Sequence, residues 1–75
     1  MLDEVVISPL QRLSGREIQV LKRVAEGRTS KEIARELGVQ PSTIDSYRSR
    51  IMMKLQVANL AALVRLAIRY RLIDL

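Results

Sequence analysis

Two helix-start signals of the same kind divide the first half of this chain into short segments. Ser14 and Thr29 are each followed three positions later by a glutamate, Glu17 and Glu32. This spacing is that of a capping box, in which the hydroxyl and the carboxylate each accept a hydrogen bond from an otherwise unpaired backbone N–H. The sequence therefore predicts two helices that begin next to Ser14 and Thr29.

Stop signals and apolar periodicity extend this pattern along the chain. Gly27 and Gly38 suit the ends of the first two helices, Pro41 the first turn of a third, and Asn59 the cap of a fourth. The expected fold class is all-α, a four-helix bundle-like domain with helices at about residues 15–26, 30–37, 41–55 and 60–72.

The segment before the first helix has no helical period, and Ser8-Pro9 disfavours an α-helix there. We expect residues 1–12 to form a flexible arm or linker and residues 13–75 to form the domain.

Length and missing residue types exclude most catalytic functions. The chain has 75 residues, with no cysteine and no histidine. One small domain is expected, without disulfides, thiolate metal sites or a histidine base. Glu32 and Glu36 show no basic or metal-binding companion in the pattern and are interpreted as solvated charge. We therefore expect no enzyme, no metal and no cofactor.

The longest uninterrupted apolar run, Leu60–Val64, is far shorter than the roughly 18 residues of a membrane span. Asp3 and Glu4 stand where a signal peptide would carry positive charge. We expect a soluble cytoplasmic protein with no membrane partner.

The net charge of +5 is unevenly distributed. Acidic and basic residues balance over residues 1–27, so the positive excess falls on residues 28–75. A basic region on a small domain favours a polyanionic partner, nucleic acid before membrane.

The second and third predicted helices have the spacing of a helix-turn-helix, 30–37 and 41–55 with three residues between them. Ala34 is small where the helices must cross, Gly38 permits a positive φ in the turn, and Ile44 lies on the inner face of the third helix. A plain helical hairpin would also accommodate these residues.

The third helix has two different faces when it is plotted at about 100° per residue. Ile51 and Leu55 fall beside Ile44, and the opposite face carries Ser42, Ser46, Ser49, Arg50 and Met53. Short hydroxyl side chains allow close approach to a groove floor, and Arg50 has the reach to bind a guanine or a phosphate. An ordinary solvated face is the alternative.

The ordered motifs of the chain resemble those of the LuxR/FixJ/GerE-type helix-turn-helix family over Leu13–Ile73. The matching segments are Leu13–Leu21, Gly27–Ala34, Leu37–Val39, Pro41–Ile44, Met52–Leu55, Leu63–Ala67 and Leu72–Ile73. The resemblance implies a four-helix domain whose third helix enters the major groove of double-stranded DNA. It also implies a role in transcription regulation, as a response-regulator output domain or a stand-alone regulator.

The resemblance also implies roles for individual positions. Base contacts are expected from Asp45, Ser46 and Ser49, together with Arg50. Lys31 and Thr43 match phosphate-contacting positions, and Lys54 matches a basic position near the end of the recognition helix. Beside the resemblance, we expect phosphate contacts from Ser42, Tyr47, Arg48 and Lys54 as well. Tyr47 replaces the usual histidine and Gln40 replaces the usual capping Ser or Thr. Asp45 either accepts from a cytosine or compensates charge at the helix N-terminus.

The fourth predicted helix carries more apolar surface than one core contact requires. Its apolar residues span about 200°, whereas a core-facing helix needs a stripe a little over 100° wide. We expect a homodimer on an inverted-repeat DNA site, with an interface formed by Leu63, Leu66, Ala67 and Tyr70. Simple exposure of a few leucines is the alternative. RNA polymerase is a further candidate partner.

Two other functions remain open. One is a sigma-factor-like reader of a promoter element, which shares the Lys-Glu-Ile-Ala segment at residues 31–34 but usually ends with the recognition helix. The other is a helix-turn-helix that serves only as a protein-interaction module.

Overall fold

A computed structural model describes residues 8–73, which form one short 3-10 helix and four α-helices. The 3-10 helix Pro9–Arg12 is followed by α1 (Gly15–Ala25), α2 (Ser30–Leu37), α3 (Pro41–Leu55) and α4 (Leu60–Arg69). No strand occurs in this part of the chain. The predicted all-α fold class is confirmed.

Both capping boxes form as predicted. The Ser14 hydroxyl accepts from the Glu17 N–H at 3.1 Å, and the Glu17 carboxylate accepts from the Ser14 N–H at 2.8 Å. Thr29 and Glu32 repeat the arrangement at the same two distances. These bonds explain why α1 and α2 start where they do, because each satisfies a backbone donor that the helix leaves free.

The remaining helix boundaries follow from caps of other kinds. Gly38 has φ +73° and ends α2 in the left-handed conformation that glycine adopts at little steric cost. Gln40 makes no side-chain cap for α3. The Asn59 side chain accepts from the Ala62 N–H at 2.8 Å and caps α4 as predicted.

Two of the predicted helices extend too far at their C-terminal ends. The first helix ends at Ala25 rather than residue 26, and the fourth at Arg69 rather than residue 72. At the second of these ends, Arg71 takes φ +61° and the Leu72 N–H donates to the Ala67 carbonyl at 2.8 Å. This left-handed turn directs Leu72 back against the core, so the helix stops earlier than its apolar pattern indicates.

The segment next to the first helix is more ordered than a flexible arm. The Ser8 hydroxyl accepts from the Leu10 N–H at 3.1 Å and starts the 3-10 helix, and Leu10 packs against the core. Arg12 donates to the carbonyl of Lys54 at the end of α3, at 3.4 Å. The arm assigned to residues 1–12 therefore does not extend over Pro9–Arg12; residues 1–7 and 74–75 lie outside the described part.

A single core lies between the helices, with α1 in contact with α2, α3 and α4. Its buried apolar side chains come from all four α-helices and from Leu13 just before α1: Leu13, Val20, Leu21, Val24, Ile33, Ala34, Ile44, Ile51, Leu55, Leu63 and Ala67. Ala34 and Ile44 are almost fully buried where α2 and α3 pack together, as the helix-turn-helix prediction requires.

Among the described residues, no single helix has both the length and the apolar composition needed to cross a membrane. Helices α3 and α4 taken together have the required length and apolar composition, but the chain bends by 67° between them.

Candidate nucleic-acid interface

The outer face of α3 is exposed and polar. Ser42, Ser46, Ser49 and Arg50 are all exposed on it, and Met53 is 75% exposed, while Ile44, Ile51 and Leu55 on the opposite side are buried. The predicted division of the helix into an apolar face and a polar face is confirmed. The polar face therefore presents short hydroxyl side chains and a guanidinium at the surface of the domain.

The other residues assigned to phosphate lie around this face in different environments. Lys31 is exposed at the start of α2, and Thr43 and Arg48 are half-buried. Tyr47 packs against the core, and the Arg50 guanidinium lies 5.2 Å from the centre of its ring. This distance permits a cation–π contact. The Tyr47 ring therefore contacts the Arg50 guanidinium, in addition to the phosphate contact predicted for the Tyr47 hydroxyl.

Asp45 is tied to the neighbouring helix. The Ser30 hydroxyl donates to the Asp45 carboxylate at 2.6 Å, and Ser30 is the first residue of α2. The first turn of α3 contains no acidic residue. Asp45 thus lies beyond the first turn of its own helix, and its carboxylate lies beside the N-terminal turn of α2, where negative charge is favourable.

A buried carboxylate behind the polar face was missed by sequence reasoning. The Glu17 side chain is 3% exposed, and its Oε1 accepts from the Lys54 ammonium at 2.9 Å. The Arg50 Nη1 lies 3.9 Å from Glu17 Oε2. The backbone N–H of Ser14 and the ammonium of Lys54 hold the pKa of this carboxyl below its usual range. Glu17 is thus an anion that contacts two cations of α3.

A second charge cluster joins α1 to α2. The Glu36 carboxylate accepts from Arg23 Nε at 3.1 Å and from Arg28 Nη1. Arg28 and then Arg23 lower the pKa of Glu36. The interpretation of Glu36 as a carboxylate without a basic companion is therefore wrong, because the packing of α2 against α1 brings it to Arg23 of α1 and to Arg28 in the connection.

Helix α4 divides the residues predicted for the dimer interface into two sets. Leu63 and Ala67 are buried within the protomer, so they are unavailable to a partner, and their assignment to the interface is wrong. Leu66 and Tyr70 are half-buried. They line an open apolar groove of about 530 Å³ together with Pro9, Ala62, Arg65, Ile68 and Arg69.

The geometry of α2 and α3 defines the class of domain. An eight-residue helix, a short connection with a left-handed glycine and a fifteen-residue helix with a polar outer face form a helix-turn-helix. Residues 11–67 match the family described as bacterial regulatory proteins, luxR family. The chain belongs to this family. Membership implies DNA binding in transcription regulation.

Several named regulators are similar to this chain. The transcriptional regulatory protein FixJ of Bradyrhizobium diazoefficiens is 47% identical over 57 residues, which cover 76% of this chain and 28% of that protein. The FixJ protein of Azorhizobium caulinodans is 45% identical over 56 residues, covering 75% and 26%. The response regulator UvrY of Escherichia coli is 38% identical over 65 residues, covering 87% and 30%.

The chain thus spans less than a third of the length of each of these relatives. No solved structure shows a significant match to it.

Proposed function

We propose that this chain binds double-stranded DNA in a sequence-specific manner, with α3 in the major groove. The observation that carries the proposal is the exposed face of α3. This face presents three serines and Arg50, and the buried apolar residues of α3 all lie on the opposite face. A major groove about 12 Å wide admits one α-helix. Short side chains on the inserted face allow the helix axis to approach the base edges.

In this arrangement the residues divide into two groups. Asp45, Ser46, Ser49 and Arg50 face the bases, where an Arg can bind guanine and an Asp can accept from cytosine. The phosphate contacts come from the residues around them: Lys31, Ser42, Thr43, Tyr47, Arg48 and Lys54. An ammonium has three N–H donors, so Lys54 can bind Glu17 and a phosphate together.

The proposal includes a homodimer formed through the groove on α4. Leu66 and Tyr70 offer apolar surface there that the protomer does not cover, whereas Leu63 and Ala67 belong to the core. Two-fold symmetry would place the recognition helices about 34 Å apart on an inverted-repeat site.

Selection of bound sequences from a random duplex library tests the function and the symmetry together. We expect enrichment of an inverted repeat with half-sites about one DNA turn apart. Enrichment of a single half-site would contradict the dimer and support a promoter-element reader. No enrichment above the input library would contradict sequence-specific binding and support a protein-interaction module.

Replacing Lys31 with alanine should weaken binding to all duplexes alike. A phosphate contact releases counterions, so its loss makes the negative slope of log K against log salt shallower by about 1. Fluorescence anisotropy over a series of salt concentrations measures the slope. Lys22→Ala is the matched control, because Lys22 is an exposed lysine on α1, outside the helix-turn-helix. An affinity of the unsubstituted protein that does not depend on salt would contradict phosphate binding.

A further inference from the structure

We infer that Glu17 is a positioning residue for DNA recognition, whose buried carboxylate holds Arg50 and Lys54 of α3 in the arrangement that meets DNA. This inference rests on the proposed function and deepens it. Glu17 lies on α1, outside the helix-turn-helix, and acts through two side chains of the recognition helix.

The two oxygens of Glu17 have different partners. Oε1 accepts from the Ser14 N–H at 2.8 Å and from the Lys54 ammonium at 2.9 Å. Oε2 faces Arg50 Nη1 at 3.9 Å. One carboxylate therefore caps α1 and, at the same time, contacts two cations that lie one turn apart on α3.

The two cations remain accessible while the anion does not. The side chains of Arg50 and Lys54 are 52% and 38% exposed, against 3% for Glu17. DNA can therefore reach the cationic groups, but water and counterions have little access to the carboxylate between α1 and α3. The contact is screened less by salt than one between exposed charges.

This arrangement orders long side chains before DNA arrives. Arg50 is held by Glu17 on one side and by the Tyr47 ring at 5.2 Å on another. Without the carboxylate, like charges four positions apart on a helix repel each other, and both side chains regain rotamer freedom. A side chain already fixed in its bound conformation loses less entropy on binding.

A purely electrostatic role of Glu17 and a positioning role predict different effects of its removal on DNA affinity. If Glu17 acted only as a negative charge near DNA, its removal would strengthen binding to every duplex. If Glu17 positions Arg50, its removal weakens binding to the preferred site more than binding to random DNA. The ratio of the two affinities therefore separates the roles.

The test compares Glu17→Gln with Glu32→Gln. Glutamine retains the capping acceptor, because a capping box accepts either residue. Glu32 fills the equivalent capping position in α2, is exposed, and has no ion pair within residues 8–73. Both substitutions change the net charge equally and alter the same kind of cap, but only the first removes the contact with α3.

Affinities are measured for the selected site and for a random duplex, and thermal unfolding is recorded for each variant. We expect Glu17→Gln to lower the ratio of the two affinities about tenfold, the size of one charge-assisted contact, and Glu32→Gln to leave it unchanged. Equal ratios in the two variants, with only the melting temperature lowered, would show a structural role and overturn the inference.

NMR relaxation of the Arg50 Nε–H group in the free protein gives a second readout that needs no DNA and, for the unsubstituted protein, no variant. We expect a rigid Arg50 side chain in the unsubstituted protein and in Glu32→Gln, and a mobile one in Glu17→Gln. A mobile Arg50 in the unsubstituted protein would overturn the inference. Failure of the unsubstituted protein to bind any duplex would instead contradict the proposed function, while leaving the NMR result to be judged separately.

Discussion

Replacing Ser46 and Ser49 together with glutamate is expected to reduce DNA affinity on the order of 100-fold or more, because like charges facing each other at an interface cost several kcal/mol. Both serines are exposed on the polar face of α3, so the fold should tolerate the change. In the proposed complex the new carboxylates would enter a groove bordered by phosphates. Anisotropy titration with the selected site measures the loss.

The matched control is the pair Gln11→Glu and Gln19→Glu, which introduces the same charge at exposed positions outside α3. We expect it to weaken binding only slightly. Equal losses in the two double variants would indicate a net-charge effect without groove insertion. Unchanged binding with glutamate on α3 would show that DNA does not contact this face.

Replacing Ile44 with alanine is expected to destabilise the domain by about 2–5 kcal/mol, the range for removing a large aliphatic side chain from a packed core. Ile44 is fully buried at the crossing of α2 and α3. A domain of this size has little stability in reserve, so the loss should leave a substantial unfolded fraction at room temperature. Urea unfolding followed by circular dichroism measures it.

Met53→Ala provides the comparison for Ile44→Ala on the same helix. Met53 is 75% exposed, and a surface substitution of this kind usually changes stability by less than about 0.5 kcal/mol. Similar destabilisation by the two substitutions would contradict the assigned faces of α3. A stable Ile44→Ala variant would mean that this crossing is not the core of the helix-turn-helix.

Much of the fold was predictable because its signals are local. The capping boxes that start α1 and α2 each involve residues three positions apart, and Gly38 marks a turn through its own backbone. The two faces of α3 follow from periodicity alone. These features depend on neighbours in the chain, which a sequence displays directly.

The missed features depend on residues distant in the chain. Glu17 was identified as a cap, but its contact with Lys54 requires α1 and α3 to pack together. On α4, the sequence pattern shows how wide the apolar surface of the helix is, but it does not show which part of that surface faces the core of the protomer. Leu63 and Ala67 were therefore assigned to a partner, although they pack inside. The positive φ of Arg71 was missed for another reason: arginine seldom adopts this conformation, so the residue type does not predict it.

The 3-10 helix Pro9–Arg12 lies between the two proposed contact surfaces. Arg12 donates to the Lys54 carbonyl in the last turn of α3, and Pro9 borders the groove on α4. The same four residues therefore touch both surfaces. A change in the position of these four residues would therefore affect the last turn of α3 and the groove on α4 together.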